Sequence, residues 1–271
     1  MRTLHKGEEE EMKDSVRYRF SHRIAAGIAL LAILFAIVLS IAARPARSFP
    51  KISSAGDDAS LLDGYRHVEV ASVSDALEKL FGQRMYMSQR MRPIFPAKFA
   101  GFALTVELKK EENKDPDALN GMLAAIDGGG PNSIYVMVVE DGANIAGMGG
   151  LMGTAMQARN FSGAVIDGGV RDTAYLQKIS FPVYSVGIVP STSVGHYRFA
   201  GANVPVVCDG VAVNANDIVL ADADGVVVVP RTKAAEVLAM AQEMDFKEHS
   251  MYAYIEKLKS IEEAVKKFGR L

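Results

Sequence analysis

Cysteine is nearly absent from this 271-residue chain. Cys208 stands alone, so no intrachain disulfide can form and no cysteine-rich metal site exists. Its surroundings, VPVVCDG, make an apolar, strand-like run that suits a buried structural thiol rather than a nucleophile. Histidine is scarce too: His5, His22, His67, His196 and His249 are scattered, and no pair has the spacing of a zinc site. Neither sign of charge is in excess, with 30 Lys and Arg against 32 Asp and Glu, so nothing points to nucleic acid or another polyanion as partner. No Walker-type phosphate loop and no internal repeat is present. Apolar residues are plentiful, at 49% of the chain, enough for a full core in one sizeable domain with extensions.

Residues 1–23 form a polar tail of mixed charge, with the acidic run Glu8–Glu11 followed by Arg17, Arg19 and Arg23. Ile24–Ala43 is then free of charge, and its twenty residues span about 30 Å as a helix, the thickness of a bilayer core. It reads as an uncleaved transmembrane anchor. The alternative is a signal peptide cut near Ser40-Ile41-Ala42, but such apolar regions run only about 7–15 residues. Lys6, Lys13, Arg17, Arg19 and Arg23 outnumber Arg44, Arg47 and Lys51 on the far side, which predicts a single-pass membrane protein with its main domain on the non-cytoplasmic side. Residues 44–60, with Pro45, Pro50 and Gly56, read as a linker, and the globular domain is expected over 61–271.

Within that domain, Ser72-Val73-Ser74-Asp75 fits a capping box that opens a helix to about Gly82. Phe99–Leu108 reads as a strand, Lys109–Asp117 as a solvated connection, and Leu119–Ile126 as a short helix. The next unit organises the chain: strand Ser133–Val139, the glycine turn Gly147–Gly150, helix Met152–Asn160, strand Gly163–Ile166, and a second turn at Arg171-Asp172. Helix Thr173–Ile179 and strand Val183–Val189 follow. Ser191–Asn203 reads as an irregular loop whose His196 and Arg198 either face a ligand or are solvated. Short β-type runs and a long helix from Lys233 complete the chain.

The glycine turn admits a dinucleotide reading, with Asp167 twenty residues after Gly147 as the ribose-binding acid. The fingerprint fails, because Met152 stands where glycine or alanine is needed. A second reading fits better. Backbone N–H groups at Gly149, Gly150, Leu151 and Met152 cradle an anion, and the Arg171 fork holds a carboxylate. Asp172 offers a hard oxygen to a divalent cation. Together these suit a 2-oxo acid. The plainer alternative for Arg171-Asp172 is a surface ion pair at a helix start. As a metal ligand Asp172 is expected to sit exposed at a helix start, so that its loss costs little stability.

Three stretches, GGLMGTAMQARNFSGAVIDGGVRD (149–172), SVSDAL (72–77) and DIVLADADGVVVVP (217–230), resemble the RraA-like family. That family includes the 4-hydroxy-4-methyl-2-oxoglutarate aldolases, which also decarboxylate oxaloacetate, and the regulators of ribonuclease E activity. The resemblance covers about residues 65–260. It implies a compact α/β domain with a β-sandwich-like centre flanked by helices, assembled as a homotrimer or dimer of trimers with the site between subunits. It implies substrate contacts from Gly149, Gly150, Leu151, Met152 and Arg171, and Mg²⁺ held by Asp172, with Arg171 and Asp172 as the catalytic pair. The activity implied is metal-dependent cleavage or decarboxylation of a small 2-oxo acid, the alternative being a non-catalytic binding or regulatory protein. Two positions depart from the pattern. Family aldolases carry an acid where Gly150 stands, and some members carry one where Tyr175 stands.

Overall fold

The computed structural model describes residues 55–269 of the chain. Two helices, α1 (Ala55–His67) and α2 (Val70–Phe81), lead into β1 (Arg92–Pro93) and the long β2 (Phe99–Lys110). Strand–helix alternation follows: α3 (Asn120–Gly128), β3 (Ser133–Val139), β4 (Ala146–Met148), α4 (Gly150–Ala158), β5 (Gly163–Val170), α5 (Thr173–Lys178) and β6 (Val183–Ile188). Each of these helices carries the chain back across the sheet, so β2, β3, β5 and β6 pair in parallel. The remainder is antiparallel: β7 (Tyr197–Ala202) on β2, the hairpin β8 (Val206–Cys208) and β9 (Val211–Val213), then β10 (Ile218–Asp222) and β11 (Gly225–Val229). Helices α6 (Ala234–Leu258) and α7 (Ile261–Phe268) end the domain.

The main sheet runs β1-β6-β5-β3-β2-β10-β11, with β4 added to β5 and β7 to β2. One segment draws its two edges together. Met87 N–H donates to Val226 O and Val228 N–H to Met85 O on the β11 edge, after which the same segment becomes β1 and pairs with Tyr184 and Ser185 of β6. The sheet is therefore curled and nearly closed, like a barrel. This corrects the expected β-sandwich-like centre. A sandwich stacks two separate sheets, whereas here crossover helices return successive strands to the same sheet.

Strand alternation supplies two cores from the same strands. Leu104, Val106, Tyr135, Met137 and Ile166 point outward against Met122 of α3, Met156 of α4 and Leu176 of α5. Ala103, Ile134, Val136 and Val165 point inward, against Val206, Cys208, Val211 and Val213 of the β8–β9 hairpin. A third cluster joins α1, α2 and α6 to β10 and β11. Tyr65 Oη donates to Ala234 O at 2.7 Å, so α1 is held to the start of α6 through a buried hydrogen bond.

Three local expectations change. Helix α1 begins at Ala55, inside the stretch read as linker. Helix α2 begins at Val70, before the predicted capping box, and its Val70 N–H is capped by Oδ2 of the distant Asp222 at 3.0 Å. Strand β7 lies in the stretch read as irregular loop. Its partner is the charged end of β2, where Arg198 faces Lys109 across an edge with little apolar pattern to read.

The predicted anchor, 24–43, lies outside the described residues. Among the described residues no helix is long and apolar enough to cross a membrane, and the longest of them, α6, is studded with Glu, Asp and Lys. The fold assignment that began with a transmembrane helix, the membrane partner and the single-pass, non-cytoplasmic localisation are corrected accordingly: the observed architecture is an α/β domain.

Asp222 offers a direct test of how the N-terminal helices are held. It is 7% exposed, and its two carboxylate oxygens accept from Val70 N and Asp224 N. Asp222→Ala leaves the Val70 donor without its partner and is expected to cost about 1–3 kcal/mol in urea unfolding. An unchanged midpoint would show that the cap contributes nothing.

Candidate functional site

Strands β4 and β5 are parallel neighbours, with Ala146 opposite Gly169 and Met148 opposite Val170. Their C-terminal ends, and the two turns that leave them, therefore lie side by side where open α/β sheets place ligands. From β4 the chain passes through Gly149 into α4. From β5 it passes through Arg171 and Asp172 into α5. The turns meet so closely that a Cβ on Gly149 would sit 2.7 Å from Asp172 Oδ2 and 3.1 Å from Arg171 Cγ. Only glycine fits there.

The contact is a clamp. Asp172 Oδ2 accepts the Gly150 N–H at 2.9 Å. Asp172 itself holds φ at +58°, a left-handed conformation that Asp and Asn tolerate better than other side chains. Arg171 Nε lies 3.8 Å from the same Oδ2, and Arg171 Nη1 donates to Ser191 O at 3.0 Å. Ser191 is anchored in turn: its Oγ accepts from Ala146 N at 2.9 Å and donates to Asn144 O at 3.1 Å. Both members of the pair are about half exposed, at 46% and 49%, so their mutual attraction alone is worth little. Among the described residues, Asp172 Oδ1, Arg171 Nη2 and the N–H groups of Leu151 and Met152 have no hydrogen-bond partner.

These groups border a cleft of about 280 Å³. Gly149, Gly150, Leu151, Met152, Arg171 and Asp172, all six residues singled out from the sequence, lie along it. Leu119, with Met122 and Leu123 of α3, gives an apolar wall, and Asp115 with Thr192–Gly195 gives another. The second wall is tied together by Glu111 N–H to His196 O at 2.9 Å and Asn113 N–H to Gly195 O at 2.8 Å. His196 pairs with Glu112 at 2.8 Å, and Arg198 pairs with Glu111 and Asp115, each at 2.8 Å. His196 and Arg198 thus brace a wall from behind and do not line the cleft. The Arg198 guanidinium holds the Asp115 carboxyl below the usual carboxylate range.

Asp167, the acid of the rejected dinucleotide reading, has a structural role. Its Oδ2 accepts Asp209 N–H at 2.6 Å, holding the β8–β9 hairpin, and burial pushes its carboxyl up. Burial likewise pushes up the Cys208 thiol. Ser191 is the site residue that sequence reasoning missed; it was read only as the first residue of a loop, and its one signal is its place after the C-terminal end of β6.

Among the described residues no group of three or more His, Cys, Asp or Glu is placed to hold a metal ion. A cation ligated by protein alone does not fit. Of the two carboxylates on the cleft, Asp115 is engaged at Oδ1 by Asp117 N–H and at Oδ2 by Arg198, which leaves Asp172 Oδ1 as the uncommitted carboxylate oxygen. That donor set fits Mg²⁺ held jointly by one carboxylate, water and the oxygens of a substrate.

Comparison with known proteins places these features in context. The RraA-like family model, Aldolase/RraA, matches residues 70–228. A Halalkalibacterium halodurans protein named "Putative 4-hydroxy-4-methyl-2-oxoglutarate aldolase" is 26% identical over 181 residues, which is 66% of this chain and 80% of that one. The crystal structure of an uncharacterized protein from Pseudomonas syringae pv. tomato superposes with a TM-score of 0.71 at 26% identity, covering 83% of this chain and 99% of the other. Streptomyces coelicolor RraAS2, described as an unusual member of the RNase ES inhibitor RraA protein family, shares the fold with a TM-score of 0.63 at 23% identity, over 76% of this chain and 99% of its own.

The clamp gives the expectation that losing Asp172 costs little stability a direct test. Asp172→Ala removes the acceptor for Gly150 N–H and puts a Cβ-bearing residue without a polar tip at φ +58°. It is expected to destabilise by about 1–2 kcal/mol in thermal or urea unfolding. Asp172→Asn keeps both the acceptor and the tolerance and should stay close to the parent. Equal stability of the two variants would show that the clamp is not formed.

Proposed function

The chain belongs to the RraA-like family, and on that premise we propose that it is a carbon–carbon lyase acting on a small 2-oxo acid, with decarboxylation its easier reaction and retro-aldol cleavage its harder one. The observation that carries this reading is the gathering of Arg171, Asp172 Oδ1 and the first N–H groups of α4 on one cleft. Arg171, steadied through Nη1 by Ser191 O, presents the rest of its planar fork to the substrate carboxylate. Asp172, with its Oδ2 committed to Gly150, would hold Mg²⁺ through Oδ1 together with water and substrate oxygens. When bound, that cation supplies Lewis-acid stabilisation of the charge that builds on the keto oxygen as the C–C bond breaks. The Leu151 and Met152 N–H groups, at the positive end of α4, favour the same negative charge.

The preference for decarboxylation follows from the missing base. Retro-aldol cleavage needs a group to take the substrate's hydroxyl proton. Gly150 has no side chain to do so. Asp115 lines the cleft but is ion-paired with Arg198, which makes it a weak base. Decarboxylation needs no such group. Ile188 and Val194 stand exposed at 62% and 68% near Arg171 and Asp172, and a neighbouring subunit of a homotrimer or dimer of trimers would cover them. The second reading is a non-catalytic regulator on the same fold, and glycine in place of an acid at position 150 favours it.

Pyruvate release from oxaloacetate by the full-length chain separates the two readings. The lyase reading expects release with Mg²⁺ and its loss on adding EDTA. Asp172→Asn, which should retain the clamp, is expected to lower Mg²⁺-dependent release by about 10²-fold or more. Arg171→Lys should lower it on a similar scale, because an ammonium cannot make the two-pronged carboxylate contact. Release that ignores Mg²⁺ and both substitutions would sink this site. No release at all would leave the regulator reading in its place.

A further inference from the structure

Three concavities share Asp172, and their charges are unequal. The main cleft and the hollow beside Ile188–Pro190 each contain one basic residue, and it is the same one, Arg171. The third hollow lies between α4 and α5. Gly150, Leu151, Thr154, Ala174 and Tyr175 line it beside Asp172, and no Lys or Arg does. With Arg171 engaged by one carboxylate, a second carboxylate in this hollow would meet no basic side chain among the described residues.

What the hollow offers instead is apolar surface. Leu151 is 90% exposed and Tyr175 is 43% exposed. The ring of Tyr175 is brought close by the glycine it faces: a Cβ at position 150 would lie 3.0 Å from Tyr175 Cδ1. A side chain there would push the ring away, so Gly150 and Tyr175 are sterically matched. The hydroxyl end is fixed as well. Thr154 Oγ1 donates to Gly150 O at 2.8 Å and lies 3.3 Å from Tyr175 Oη, where it is free to accept the phenol proton. The two positions that depart from the aldolase pattern thus form one wall.

We propose that this hollow is the subsite for the distal end of the substrate, and that Tyr175 is its specificity-determining residue. It selects 2-oxo monocarboxylates with an uncharged, aromatic tail over 2-oxo dicarboxylates. The proposal rests on the reading of Arg171 and Asp172 as the site for the 2-oxo acid head.

Titration calorimetry of the full-length chain with Mg²⁺ tests it, using phenylpyruvate as the aromatic probe and 2-oxoglutarate as the dicarboxylate. Phenylpyruvate is expected to bind at least about tenfold more tightly, the scale of burying part of a ring. Tyr175→Ala should remove about tenfold or more of that affinity while changing 2-oxoglutarate by less than about twofold, and Tyr175→Phe should retain the affinity for phenylpyruvate. Tyr175→Arg, which supplies the missing cation, should turn the preference toward 2-oxoglutarate. The proposal is overturned if 2-oxoglutarate binds as well as phenylpyruvate, if Tyr175→Ala weakens both alike, or if neither binds. Arg171→Lys reports separately on the head-group site and should weaken both ligands. Selection lost with that Arg171 dependence intact defeats the subsite alone. Both ligands indifferent to Arg171 defeats the underlying reading.

Discussion

The hydrogen bond from Gly150 N–H to the Asp172 carboxylate ties together the ends of two strand–helix units, and the cleft takes its shape from that tie. The bond can form only because residue 149 has no side chain. A methyl group there would overlap the carboxylate oxygen and crowd the Arg171 stem. It also depends on a left-handed backbone at Asp172, which turns the carboxylate back toward α4 rather than out along α5. One carboxylate oxygen therefore closes the structure and leaves the other uncommitted. The side chain has a fold role through Oδ2, and under the proposed function a chemical role through Oδ1, so only a substitution that retains an acceptor separates the two.

The clamp would not hold without the curled sheet beneath it. Parallel pairing of β4 with β5, and of β5 with β6, sets three strand ends at one rim. The turn after β4, the turn after β5 and the loop after β6 then supply Gly149–Met152, Arg171-Asp172 and Ser191 in that order. Ser191 links all three, because its hydroxyl is fixed to the backbone before β4 and its carbonyl fixes the guanidinium after β5. The opposite wall is braced by polar pairs, His196 with Glu112 and Arg198 with Glu111 and Asp115, and of these five residues only Asp115 lines the cleft.

The strand, glycine turn, helix and strand around the site were legible in the sequence because each signal there is local. Ser133–Val139 is apolar and β-branched and forms a strand with those bounds. The glycines stand where backbone approaches side chain. Signals that depend on distant partners were not legible. The α2 cap comes from Asp222, 152 positions from Val70, so the nearer Ser72 attracted the assignment. Strand β7 is held by a charged edge and carries no period-two pattern. The sandwich expectation failed because strand content does not reveal whether short strands close on one another, and here closure depends on the segment from Met85 to Pro93. The sequence singles out Gly149, Gly150, Arg171 and Asp172, all four of which take part in the clamp, whereas Ser191 reaches Arg171 through a backbone carbonyl that any residue could offer.

The distribution of uncommitted polar groups is what separates a ligand site from a merely structural junction. Among the described residues, no buried side-chain nitrogen or oxygen lacks a hydrogen-bond partner. The interior follows the general rule that buried polar groups are satisfied. At the half-exposed cleft, Asp172 Oδ2, Arg171 Nη1 and the Gly150 N–H are committed to holding the turn, while among the described residues Asp172 Oδ1, Arg171 Nη2 and two N–H groups of α4 have no protein partner. A surface ion pair would pair both charges with each other at close range, yet here Arg171 Nε and Asp172 Oδ2 stand 3.8 Å apart while other bonds fix each group in place. Fixed orientation combined with free valence is a form of preorganisation, because the donors and acceptors need not reorient when a ligand arrives. That arrangement serves catalysis and plain binding equally. The choice between them therefore falls to proton transfer, and glycine at position 150 supplies no group for it while letting the Tyr175 ring come close.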